Sequence, residues 1–277
     1  MVGARTPARG WWHLAGDGKA GYAGDGGPAR RAELDDSSGM AVADNGTVYV
    51  ADTGNNRVRA ISPKGAITTV AGNGHAGARE GGSPAVRGGV ASPKAVALGS
   101  KGQVYIADSN GVQVVSPNGI LTTVVATPRI SVNGKTIAFT PNAIAVGRSG
   151  GLYASDFTLK LLIEFTPTGH AVHSWPIYVT PAGMATAPDG SVVVGNYETF
   201  SVDQVIDGQP STLVTFTRNS LPGPTGTFRP SGIEVSRTGL VYSVTDGVNG
   251  GTTRPALVAI KGSDHVQLLP TGSGTSH

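Results

Sequence analysis

The chain has 277 residues, of which 39% are hydrophobic and only 14% charged, so it can bury one large core or two ordinary ones. It has no cysteine, which excludes disulfides, thiolate nucleophiles and cysteine-ligated metals. Its formal charge of +3 is small and the basic residues are scattered, a pattern that points to neither nucleic acid nor a membrane surface.

No apolar run is long enough for a membrane span, and "MVGARTPARGWWHLAG" lacks the apolar stretch of a signal peptide. The expected compartment is the cytoplasm, an excised extracellular domain being the other reading. Gly 42 and Pro 18 make up more than a fifth of the chain, which suits short strands joined by tight turns.

In chain order, residues 1–10 read as a tail, and "WWHLAG" from Trp11 as a single strand. The first full unit is "SSGMAVADNGTVYVADTGNNRVRAISPKGAITTVAG", from Ser37. A second copy starts at Ser92, a third at Thr140, and weaker ones at Pro181 and Pro230, at a period of roughly 40 to 56 residues. In each, a short apolar strand meets a turn at Gly46, Gly102, Gly150, Gly190 or Gly239. A second strand follows, with Tyr49, Tyr105, Tyr153, Val193 or Tyr242 in matching places. Each copy reads as four antiparallel strands, A to D, and must stack on its neighbours to bury both faces. The predicted fold is an all-β propeller over 11–270, with five blades favoured and six as the alternative; 271–277 is a C-terminal tail. The long linkers repeat too: "AGDGKAGYAGDGGPARRA" from Ala15 parallels "AGNGHAGAREGGSPAVRG" from Ala71, which makes the N-terminal strand a D strand placed to close the ring.

The stretch "GMAVADNGTVYVADTGNNRVRAIS" resembles the NHL repeat, and the resemblance extends more faintly over residues 15 to 270. It implies a β-propeller, a fold that serves both binding modules and enzymes, with strand A on the axis, strand D on the rim, and the D-to-A and B-to-C connections on one face.

Asp52, Asp108, Asp156 and Asn196 recur where strand B ends, so turn capping explains them better than catalysis. The Asn-Arg pair after Asp52 is expected to carry no chemistry. His13, His170, His173 and His265 fall on D strands, His277 is terminal and only His75 lies in a D-to-A loop, so no histidine metal site is expected. No cofactor is expected either, a divalent cation such as calcium on Asp17, Asp25, Glu33, Asp35 and Asp36 being the alternative, although their spacing fits no EF-hand loop.

Lys94 is a lone cation at the axial mouth, level with Asn142 of the next copy. Around it the linkers offer Tyr22, Asp25, Arg79, Glu80, Tyr197 and Arg229. The leading expectation is a binding propeller that engages a protein or a small anionic ligand through this loop-rich face. Its alternative is a small-molecule lyase, hydrolase or cyclase, with Lys94 or His75 as acid or base and Asn142 and Tyr197 positioning the substrate.

Overall fold

The turn between the first two strands of every copy has the backbone its residue permits: Gly46, Gly102, Gly150, Gly190 and Gly239 all have φ between 80° and 92°. The computed structural model describes residues 14–77, 82–126, 129–147, 150–177, 181–196, 201–206, 209–215, 227–235, 239, 241–249, 252–261 and 265–268. Within these, the Val-, Ile- and Tyr-rich runs flanking each turn form antiparallel strands, as β-branched and aromatic side chains favour.

Copy one supplies β1 (Ser37–Val42), β2 (Val48–Asp52), β3 (Arg57–Ile61) and β4 (Ile67–Ala71). A two-residue strand, β5 (Ser83–Pro84), precedes copy two, which supplies β6 (Ala95–Leu98), β7 (Val104–Asp108), β8 (Gly111–Val115) and β9 (Ile120–Ala126). A hairpin of β10 (Arg129–Val132) and β11 (Lys135–Ala138) leads to copy three: β12 (Ala143–Val146), β13 (Leu152–Asp156), β14 (Leu161–Phe165) and β15 (Ala171–Pro176). Copy four is β16 (Pro181–Thr186), β17 (Val192–Asn196), β18 (Ser201–Ile206) and β19 (Gln209–Thr215). Copy five is β20 (Thr227–Val235), β21 (Val241–Asn249), β22 (Thr252–Lys261) and β23 (His265–Leu268).

The architecture is all-β and propeller-like, and the expectation of uniform four-stranded sheets needs one correction. Among the described residues four sheets have four strands in sequence order, while copy two forms a sheet of five, ordered β5-β9-β8-β7-β6. The extra strand comes from the preceding linker, which turns back along the open edge of β9: the Gly82 and Ala85 amides donate to the carbonyls of Leu121 and Gly119 at 3.1 and 2.8 Å. The linker before copy one does the same to β4, Gly26 donating to the Ile67 carbonyl at 2.8 Å and Ala29 to that of Gly65 at 2.8 Å. The rim of these two sheets is therefore the linker and not strand D. An unpaired strand edge is a template for association, and the linkers cover it.

The core lies between successive sheets. Ala41, Ala51 and Val58 of copy one pack with Val96, Val104 and Ile106 of copy two. Ala107, Val112 and Val125 meet Ile144, Leu152 and Ile163 of copy three, and Ala145 and Leu162 meet Met184, Val192 and Val205 of copy four. Fully burying a side chain the size of Ile106 contributes about 1.5–3 kcal/mol. The hairpin seals the second of these interfaces, with Ile130 and Val132 buried in it and Phe139 set 5.9 Å from the Phe165 ring. The inner strands of all five copies line one cavity. The expected closing strand starts at Trp11, outside the described residues, and Leu14 to Gly16 belong to no strand.

Candidate functional site

The recurring aspartates are buried, and each does more than cap its own turn. Asp52 accepts the amide of Asp35 at 2.8 Å, Asp108 that of Ala91 at 2.9 Å, and Asp156 that of Thr140 at 2.8 Å. In every case the donor sits in the linker that enters the same copy. The turn-capping role is present as well: Asp108 also accepts the Asn110 amide at 2.8 Å, and Asp156 those of Thr158 and Leu159 at 2.8 and 3.0 Å. A side chain that serves two backbone segments ties the linker to the B-to-C turn, so the two connections form one surface. Burial pushes the Asp108 carboxyl above its ordinary range, against the pull of the amides of Ala91 and Asn110 and of the Gln113 side chain.

Copy one adds a buried guanidinium. Arg59 is fully enclosed, with its Nη1 3.1 Å from Asp52 and its Nη2 2.8 Å from Asp25. It also donates to the Glu33 carbonyl at 3.3 Å, while the buried Nε has no partner. Asp25, expected among the ligand-binding residues, spends its second oxygen on the Thr69 amide at 3.1 Å, so its carboxylate is committed to holding the linker.

The Asn-Arg pair is busier than expected. Asn55 donates to the carbonyl of Gly21 and to Asp52, and Asn56 accepts the Ser92 amide at 2.8 Å. Arg57 donates to the Asn73 carbonyl at 3.1 Å and lies 3.9 Å above the ring of Tyr22. The three side chains therefore fasten the linkers on either side of copy one, and Tyr22 is the exposed lid over one of those ties.

Three of the expected site residues, Lys94, Asn142 and His75, lie just before β6, just before β12 and in a linker turn. Lys94 is half-buried just before β6, its amide bonded to the Ala107 carbonyl at 2.8 Å and its own carbonyl accepting from the Ser38 hydroxyl at 3.0 Å. Asn142 spends its side-chain oxygen on the Phe157 amide at 3.3 Å. His75 is exposed in a turn where its amide donates to Asn73 at 2.9 Å. No hydrogen bond or ion pair joins these three. Arg229 lies on β20 with its backbone opposite Asp246, and its side chain is outside the described set. Tyr197, Arg79 and Glu80 also lie outside the described residues.

The central cavity has a volume of about 770 Å³ and an aliphatic wall that includes Met40, Val42, Val96, Leu98, Ile144 and Met184. Its polar lining, such as Asp44, Asn45 and Ser100, comes from the A-to-B turns. Ser38, Lys94 and Asn142 are not part of that lining, because they sit at the opposite ends of the inner strands. The axial chamber and the loop-rich face are thus two separate features.

A second cavity, about 660 Å³, lies between the sheets of copies three and four. Its wall carries His173, 3.0 Å from Glu164, and Tyr153, whose hydroxyl is 3.2 Å from the same carboxylate. Sequence alone puts His173 on the rim, and His170 does part from it, bonding Thr168 at 3.2 Å. The missed signal was copy-specific composition, since no other copy has a charged pair at these positions. Among the described residues no three His, Asp or Glu side chains converge to hold a metal ion, and no helix is long and apolar enough to cross a membrane.

Residues 15–62 match the family model of the teneurin NHL domain. Copy one is thus similar to an NHL repeat. The match covers the first linker, with Asp25, and three strands of copy one, including Asp52 and Arg59, which together make up the tie just described. No curated protein sequence matches the chain. Among solved structures it is similar to virginiamycin B lyase from Staphylococcus aureus, at 13% identity over 84% of each chain and a TM-score of 0.53. It is also similar to a gluconolactonase from Xanthomonas campestris, at 16% identity over 83% of this chain and 84% of that one, with a TM-score of 0.56. A protein of unknown function from Bacteroides thetaiotaomicron gives a TM-score of 0.62 at 20% identity, over 92% of this chain and 62% of that one. At such identities the likeness concerns the fold alone.

Proposed function

We propose that the chain is a binding module, an NHL-type propeller that engages a protein or a small anionic ligand through its linker face. The observation that carries this reading is the repeated tie of Asp52, Asp108 and Asp156 to the linkers entering their copies. Linkers held this way present a surface already shaped before a partner arrives, which lowers the ordering entropy that binding must overcome. Exposed Arg30 and Arg31 on one short helical turn and Arg87 on its counterpart give that surface a basic character. We further propose that the five copies close as five blades, a reading supported by the contribution of every inner strand to one cavity.

The second reading is an enzyme. Its support is the shared fold of a lyase and a gluconolactonase. No hydrogen bond or ion pair links His75 to Lys94 or Asn142, which weighs against it, because acid–base catalysis needs its groups within reach of one substrate atom.

Titration with polyglutamate, followed by melting temperature and repeated at raised salt, tests the binding reading. A salt-sensitive upward shift is expected, and it should be lost when Arg30, Arg31 and Arg87 are all replaced by Gln without a change in the unliganded melting temperature. No shift, or a shift that survives the triple replacement, counts against the proposed face.

A further inference from the structure

Repetition gives each copy a set of sister positions, and fold requirements should fill them alike. On the face of copy three that looks toward copy four, antiparallel register aligns Tyr153, Glu164 and His173 in one row across β13, β14 and β15. The sister rows are Tyr49-Ala60-Thr68, Tyr105-Val114-Thr122, Val193-Gln204-Ser211 and Tyr242-Ala259-Gln267. None of them holds an ionisable pair beside its first residue. In the adjoining row Ser155-Leu162-Trp175, a tryptophan stands where copy two has Val125. The blade pattern does not require these three substitutions in copy three, and all of them line the second cavity.

The cavity is chemically organised. Glu164 receives the Tyr153 hydroxyl on one oxygen and faces His173 Nδ1 with the other, which fixes the imidazole so that Nε2 is left for a ligand. Trp175 stacks on that imidazole at 5.5 Å and 27°, and Leu162 and Val205 form an apolar floor. The facing wall is the turn at Asp189, whose carboxylate receives the Ser191 amide at 3.0 Å and Gln204 Nε2 at 3.1 Å. The bonds from Ser191 hold that carboxyl below its ordinary range, so it stays ionised at neutral pH.

We propose that this inter-sheet groove binds an organic ammonium, with the cationic head between Glu164 and Asp189 and the apolar body on Trp175 and Leu162. Two carboxylates lining the groove select positive charge, Trp175 and Leu162 offer apolar surface to the body, and the volume of about 660 Å³ suits a small molecule. The groove is built from the A-to-B turn of copy four and the facing sheets, so it is independent of the linker surface proposed above.

Calorimetric titration with phenethylamine, phenethyl alcohol and phenylacetate tests the assignment by varying charge alone. The amine should saturate, the alcohol should bind about tenfold more weakly or less, and the acid should not saturate. Glu164→Gln and Asp189→Asn should each weaken the amine severalfold, while His170→Gln, outside the groove, should leave it unchanged. If Glu164→Gln fails to fold, Asp189→Asn, on an exposed turn, carries the test. Equal affinity for amine and alcohol, saturation by none of the three, or amine affinity unaffected by Asp189→Asn overturns the proposal.

Discussion

Arg59 shows how one residue can decide the state of a whole linker. Its guanidinium is fully buried against Asp52, which is also fully buried, and reaches a half-exposed Asp25 from the linker. Sister positions in the register hold Gln113 and Ile163, opposite Ile106 and Ala154 as Arg59 is opposite Val50, so the fold accepts other chemistry there. Removing only the cation leaves a buried carboxylate uncompensated: Arg59→Met is expected to destabilise the chain by about 3–5 kcal/mol, and adding Asp52→Asn should recover part of the loss. Urea unfolding of the two variants checks this; a single variant as stable as the parent would contradict it. The recurrence of Asp52, Asp108 and Asp156 was legible in the sequence because side chains repeat visibly. Their partners were not, because a backbone amide in a linker has no residue signature.

At the scale of elements, turns and edges divide into those the sequence announces and those that packing imposes. The hairpin of β10 and β11 turns on Asn133 and Gly134, with φ of 49° and 73°. That Asn-Gly pair is a strong local hairpin signal, legible in the sequence without any knowledge of packing. Strand β5 could not be seen in the same way, since two residues pair with β9 only because its edge is open. Gly119 and Gly169 occupy matching turns after β8 and β14, with φ of 78° and 85°. A Cβ at Gly119 would meet nothing within 4 Å, whereas one at Gly169 would collide with the Val124 carbonyl of the preceding sheet. Both Ala variants bear the backbone strain, but Gly169→Ala should lose about 1–3 kcal/mol more than Gly119→Ala. Equal melting temperatures for the two would show that the sheets are not packed as closely as this contact requires.

For the molecule as a whole, periodicity made the fold legible: copies that each leave two apolar faces must stack, and the cores of copies one to four do lie between neighbours. Function was less legible. Lys94, His75 and Asn142, which the sequence singles out, share no hydrogen bond or ion pair, while Glu164 and His173 meet only because β14 and β15 pair in one register. Charge along a chain does not reveal which strands will lie side by side.

Buried carboxylates fix the linkers to the sheets and so shape the proposed face. Residue-resolved hydrogen exchange of the native protein tests that claim directly. The amides of Asp35, Ala91 and Thr140 should exchange as slowly as those of β2 and β7, and far more slowly than the linker amides of Lys19 and His75. Exchange of all five linker amides at a common fast rate would contradict it.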